Sequence, residues 1–178
     1  MQIHYRQGGL TVAEGDITHF DGDAIVNAAN RSLLGGGGVD GAIHRAAGPQ
    51  LLEACRALRQ HDWPDGLPVG RVALTPGFRL PARYVIHTVG PVYAESEDPR
   101  GQLAACYRNA LALADERGFK RLAFPAISTG VYGYPSAEAA RVVADVIRER
   151  LPQLPALEVT LMFFSAADAQ TFVQAAQR

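Results

Sequence analysis

Lysine is nearly missing from this 178-residue chain: Lys120 is the only one, and the other sixteen of its 17 basic residues are arginines. A Walker A loop needs Gly-Lys-Ser/Thr and is therefore excluded, as is lysine Schiff-base chemistry anywhere but at Lys120, beside Arg121. Against 18 acidic residues the net charge is −1, and no basic run is present. Counterion release needs clustered cations, so duplex nucleic acid is not an expected partner. Cysteine is as scarce. Cys55 and Cys106 lie far apart within helix-like patterns, which excludes a disulfide framework or zinc knuckle and reads them as core thiols. No apolar run approaches a membrane span, and Met1 to Arg6 lacks the apolar stretch of a secretory leader, so a reducing cytoplasm is the expected location.

What is present suits a single globular domain over residues 1–178. At 48% hydrophobic and 20% charged the chain is not disordered in composition, and at this length it buries roughly 70% of its unfolded surface. Four short runs are too continuously apolar for half-exposed strands: Ala24–Ala29, Tyr84–Val89, Leu122–Ile127 and Val159–Phe164. Such runs suit strands buried on both faces of a largely parallel sheet. Helical spacing separates them. Leu103, Tyr107, Ala110, Leu111 and Ala114 precede a stop at Gly118; Ala139, Val143, Ile147 and Leu151 follow Ser136 as N-cap and end at Pro152. Val39 to Gln60 reads as a helix broken at Gly48-Pro49. Ile3-His4-Tyr5 and Leu10–Ala13, around Gln7-Gly8-Gly9, read as a hairpin-like start with at least one antiparallel strand at the sheet edge. The fold class is therefore α/β, a three-layer α/β/α sandwich on a mixed, mostly parallel sheet.

Small and polar residues gather where these runs end: Asn27 and Asn30, then His87 to Pro91, then Ser128-Thr129-Gly130-Val131-Tyr132-Gly133. In open α/β sheets that edge binds ligands, so one site is expected. Gly35 to Gly38 lead into a helix through Val39-Asp40-Gly41, and a glycine-rich loop at a helix N-terminus presents free N–H donors and the positive dipole end to phosphate. Gly36 to Gly41 also fits the dinucleotide fingerprint G-x-G-x-x-G, but the stretch after it leads into the Trp63-Pro64 loop rather than a strand ending in an acid, which argues against hydride transfer. The Ser128 loop is a second source of backbone donors. Asp16 follows the second strand, either as the N-cap of a short turn or as an acceptor for an exocyclic amine such as adenine's. Phe163 or Phe164 is placed to supply a stacking face. His44, four residues after Asp40, reads as a helix-packing histidine or an i,i+4 partner rather than a metal ligand, since no third ligand has recognisable spacing. His87 reads as a hydrogen-bonded core histidine.

Taken in order, Gly15-Asp16-Ile17-Thr18, Ile25 to Asn30, Leu34 to Gly48, Ile86 to Pro91 and Phe124 to Pro135 resemble the macro domain family, in particular its MacroD-type ADP-ribose-processing subgroup. The resemblance implies a six-stranded mixed sheet and an ADP-ribose pocket. By position, Asp16 accepts from adenine N6, the Ile17 backbone supports the base and Phe164 flanks it. Gly37, Gly38, Val39 and Ser128, Thr129, Gly130, Val131 and Tyr132 hold the diphosphate and distal ribose. Asn27 joins the pocket, Asn30 bonds a distal ribose hydroxyl, and Asp40 is the acid/base, with Asn30 the second catalytic candidate. The implied reactions are hydrolysis of the ester joining ADP-ribose to Asp or Glu of mono-ADP-ribosylated proteins and deacetylation of O-acetyl-ADP-ribose. A monomer using no cofactor and no metal is expected. A non-catalytic ADP-ribose reader is the alternative, and the Asp40 and Asn30 pair favours the hydrolase.

Overall fold

The computed structural model describes residues 1–177. Among them a single sheet has seven strands: β1 (Gln2–Gln7), β2 (Leu10–Glu14), β3 (Ala24–Ala28), β4 (Val72–Pro76), β5 (Tyr84–Thr88), β6 (Arg121–Phe124) and β7 (Glu158–Phe163). Their spatial order is β1-β2-β7-β6-β3-β5-β4. The five inner strands are mutually parallel, while β1 and β4 close the two edges antiparallel. The N-terminal hairpin is as the sequence indicates. The count of six expected strands rises to seven because of β4, whose alternating burial and terminal Pro76 mark an edge strand rather than a continuously buried run.

Five α-helices cover the sheet: α1 (Gly38–Ala47), α2 (Pro49–His61), α3 (Pro99–Glu116), α4 (Ser136–Arg150) and α5 (Ala166–Ala176). Period-2 alternation sorts the strand residues between two cores. Val12, Val26, Ile86, Leu122, Phe124 and Leu161 pack with α3, α4 and α5. Ala13, Ile25, Val85, Ala123 and Met162 face the other way, onto α1 and α2. Because successive residues are buried on opposite faces, the inner strands read as continuous apolar runs. Cys55 and Cys106 are buried free thiols in these two cores, and burial pushes them up to about 12 and about 11.

Two helix boundaries carry information. Ser136 is the first residue of α4 rather than its cap; Pro135 occupies that position and no side chain caps the end. Between α1 and α2, Gly48 stands at φ 87°, ψ 176°, a conformation essentially reserved for glycine, and its N–H closes α1 on His44 O while Pro49 opens α2. A Cβ there would also meet Arg79 Cδ at 3.1 Å. Gly48→Ala is therefore expected to cost about 1–3 kcal/mol in urea-unfolding free energy with an unchanged denaturant slope.

Candidate active site

The carboxyl ends of the parallel strands open into a cavity of about 540 Å³. That lies within the roughly 300–1,000 Å³ of small-molecule sites. Its floor and walls come from the segments at and after the ends of β2, β3, β5, β6 and β7, together with the loop entering α1.

Asp40 sits in the first turn of α1 with its side chain only 6% exposed. Asn27, wholly buried near the end of β3, donates from Nδ2 to Asp40 Oδ1 at 2.8 Å. His44, one turn further along α1, places Nε2 3.4 Å from the same Oδ1, an ion-pair separation without hydrogen-bond alignment. Burial raises the Asp40 carboxyl above its ordinary range, and the Asn27 bond and the His44 charge act against that rise. Asp40 Oδ2 lies toward Gly36, where a Cβ would stand 3.2 Å from it and 3.1 Å from Asn30 Nδ2. A Cβ on Gly41 would approach Gly36 O to 2.6 Å. Glycine at these two positions lets the loop fold back onto α1 and bring Asn30 and Asp40 to one spot. Asn30 is fixed there by its own bonds, Nδ2 donating to Gly35 O at 2.9 Å and Oδ1 accepting from Ser32 Oγ at 2.6 Å.

Gly37 is the N-cap of α1 and offers no side chain to its first turn, so the terminal N–H groups face the cavity side uncapped by side chains. Across from them runs the Ser128 loop. Ser128 adopts φ 66°, a backbone conformation unusual for a residue with a side chain, and its buried Oγ has no partner among the described residues. The loop is held by Tyr134 N donating to Ser128 O, Gly133 N to Gly130 O and Tyr93 N to Tyr132 O, while Val131 is fully exposed at the tip. Asn27 Oδ1 and His44 Nε2 are the other buried side-chain atoms without a hydrogen-bond partner among the described residues. Ser128 lines the cavity, where a polar group left free asks for a polar ligand, while Asn27 and His44 stand against Asp40 Oδ1.

At the other end, Asp16 caps the short 3-10 turn Ile17–His19, its Oδ1 accepting from Thr18 N at 2.9 Å and Thr18 Oγ1 at 2.7 Å. The Thr18 hydroxyl bond, ahead of the other causes, holds the Asp16 carboxyl below its ordinary range. Ile17 lines the cavity, and Phe164 leaves 65% of its surface exposed after β7.

Of the residues singled out in the sequence, Ile17, Asn30, Gly37, Gly38, Val39, Asp40, Ser128, Thr129, Gly130, Val131, Tyr132 and Phe164 all line this cavity. Asp16 and Asn27 do not line it: Asp16 stands beside lining Ile17 and Gly15, and Asn27 stands behind Asp40. Sequence reading missed Asp168 and Met162 in the wall. Asp168 was legible through Ser165, which caps α5 by accepting from Asp168 N at 3.1 Å, the capping-box spacing. His87 is a core histidine as read, with no exposed surface.

The profile of the Macro domain family matches residues 26–143. A macro domain-containing protein of Streptomyces coelicolor is 51% identical over 164 residues, covering 92% of this chain and 96% of the relative. Among solved structures, the Oceanobacillus iheyensis macrodomain with ADP superposes with a TM-score of 0.94 at 44% identity, covering 99% of this chain and 94% of that one. The Trypanosoma brucei macrodomain in complex with ADP-ribose gives a TM-score of 0.84 at 42% identity, covering 93% of this chain and 68% of that one. Fold, cavity and these likenesses agree, and the chain belongs to the macro domain family.

Proposed function

We propose that this protein binds ADP-ribose and hydrolyses the ester that joins it to Asp or Glu side chains of mono-ADP-ribosylated proteins, with O-acetyl-ADP-ribose as a second substrate. Binding of the ADP-ribose class is supported by the relatives solved with ADP and ADP-ribose. The observation that carries the hydrolase reading is the buried Asp40 carboxylate, set in the cavity wall beside Asn30 instead of in solvent.

In this reading the diphosphate spans the N-terminus of α1 and the Ser128 loop, held by backbone N–H groups and the helix dipole. The distal ribose then lies over Gly36, between Asn30 and Asp40. Asp40 Oδ1 is held by Asn27, which leaves Oδ2 to take a proton from water. The water oxygen attacks the ester carbonyl, the carbonyl–ribose oxygen bond breaks, and the proton passes to the leaving ribose hydroxyl. An ordinary carboxylate, with a pKa of about 3.9, is a weak base near neutrality. Burial moves Asp40 in the direction that makes it a better one. Asp16 and Phe164 take the adenine end. The protein acts alone, without cofactor or metal.

Incubation with a mono-ADP-ribosylated Glu substrate is expected to release free ADP-ribose; binding with no release would instead make the protein a reader. Asp40→Ala is expected to keep ADP-ribose affinity in calorimetry and lose turnover by 100-fold or more, on the order of general-base contributions. Gly130→Glu sets a like charge against the diphosphate at a position where a Cβ meets nothing of the protein within 4 Å. It should abolish measurable ADP-ribose binding at unchanged melting temperature, and unchanged affinity would displace the diphosphate from this loop. Asp40 also leaves a pH signature. Because its folded carboxyl is raised above the unfolded one, the charged form destabilises the fold at neutral pH, and that cost fades as pH falls through the folded pKa toward 3.8. Asp40→Asn should therefore melt higher than wild type at pH 7–8, with the gap closing as the pH falls, as followed by calorimetric scans.

A further inference from the structure

Behind the Asn27–Asp40 bond lies a second line of buried polar groups that the mechanism above does not use. Asn27 Nδ2 is 3.2 Å from His87 Nδ1 as well as 2.8 Å from Asp40 Oδ1, and His87 Nε2 is 2.9 Å from Thr75 Oγ1. Asn27, His87 and Thr75 stand on β3, β5 and β4, and the register places Asn27 opposite His87 and His87 opposite Ala73. Cys55 Sγ, from α2, closes the group 3.9 Å from His87 Nε2.

The hydrogen positions follow from the chemistry of the members. An ionised carboxylate only accepts, so Asn27 must turn its NH2 group, not its oxygen, toward Asp40. That amide has two protons. One goes to Asp40 Oδ1, and the other points at His87 Nδ1, which must then be the bare, accepting nitrogen. The ring proton consequently sits on Nε2 and is donated to Thr75 Oγ1. A neutral imidazole alone fits this role, and burial, ahead of the His44 charge, holds His87 neutral by lowering its pKa to about 3. Had the ring carried its proton on Nδ1, the Asn27 oxygen would have to face it, and the amide could no longer offer both protons.

Resting on the hydrolase reading, we propose that His87 is a positioning residue: in the Nε2–H tautomer, donating to Thr75 Oγ1, it accepts at Nδ1 from the Asn27 amide and locks it so that Asp40 is oriented and kept ionised for the reaction. Asp40 is faced by Asn27 from β3 and His44 from its own helix, with Cys55 on α2 and His87 behind Asn27. Asp40 and His87 Nδ1 are the two acceptors that face the Asn27 NH2 group, so the His87 acceptor holds the amide in the orientation that Asp40 requires. Supporting residues of this kind work through geometry, and small misplacements at a reacting group lower rate more than affinity.

Two substitutions separate positioning from packing. His87→Asn keeps an acceptor oxygen close to the Nδ1 position but loses the far end of the ring; His87→Gln keeps more of the volume and the reach to Thr75 but not the acceptor. Positioning predicts that Asn rescues and Gln does not. His87→Leu and His87→Gln are expected to lower kcat tenfold or more with ADP-ribose affinity within twofold, and to move the acid limb of the pH–rate profile upward. His87→Asn should restore most of kcat and the wild-type limb. Wild-type kcat in all three, or better rescue by Gln than by Asn, overturns the proposal. Two measurements need no turnover. Nitrogen-15 NMR of the wild-type imidazole should show the Nε2–H tautomer, and Nδ1–H overturns the proposal even if the variants fail to fold. The Asp40 carboxyl carbon resonance should titrate at higher pH in His87→Leu and at the wild-type pH in His87→Asn; no change in Leu overturns it. An inactive wild type with these two results intact would refute the hydrolase reading and leave the lock standing.

Discussion

One hydrogen bond ties the sheet to its ligand-facing helix: Asn27 Nδ2 to Asp40 Oδ1, 2.8 Å long and closed to solvent. A carboxylate placed in so buried a position is costly unless donors meet it, and a charge-assisted bond contributes on the order of 1.5–3 kcal/mol. Asn27 comes from near the end of β3, an inner strand with parallel neighbours on both sides, where it pairs with His87 of β5. Asp40 comes from the first turn of a helix whose N-cap brings no side chain. The bond thus transfers the rigidity of the sheet to the one element that must present both a carboxylate and free backbone N–H groups. Gly36 and Gly41 make this possible, since a Cβ at either would push the entering loop away from Asp40.

The layered architecture follows from residues that could be read directly. Ile25 and Val26, or Val85 and Ile86, are neighbours in sequence but belong to opposite cores, and that two-sided burial made β3 and β5 visible as unbroken apolar runs. β4 escaped detection for the opposite reason. Val72 and Leu74 are only partly buried, and the strand is five residues long with a proline at its end, as an edge strand requires. Helix α5 escaped because its apolar stripe is narrow: only Ala169 and Phe172 are buried. Its capping signal, Ser165 to Asp168, was present all the same.

Local motifs were the legible part of the site, and pairings across the fold were not. The Gly35–Gly41 loop, the Ser128 loop and the aromatic after β7 could be placed on one edge of the sheet because each follows or precedes a recognisable element. Asn27 was placed among the pocket residues, yet it stands one layer behind, holding Asp40 thirteen residues away. Nothing in the spacing of Asn27 and Asp40 specifies that bond, which depends on how α1 packs on β3. The partnership of Thr75 with His87 was further out of reach, since it needs β4 to exist and to run antiparallel to β5 in its observed register. His87 could be recognised as buried and hydrogen-bonded, but not as belonging to the same line of contacts as Asp40.

The near absence of lysine and the environment of Asp40 are two sides of one electrostatic arrangement. A lysine in this cavity would neutralise a diphosphate, but a few ångströms from Asp40 it would also favour the ionised carboxylate and hold its pKa down, weakening it as a base. In the proposed binding mode, backbone N–H groups and a helix terminus attract the diphosphate through partial charges that stay in the first turn and the loop. The cationic group that acts on Asp40 is His44, which carries charge only when protonated, and its pull does not overcome the effect of burial. On the opposite flank the neighbours are an amide, a neutral imidazole and a protonated thiol, none of them charged. In the proposed reaction, phosphate binding and proton abstraction are thereby separated by chemical type: dipoles hold the anion, and a desolvated carboxylate supported by neutral donors takes the proton.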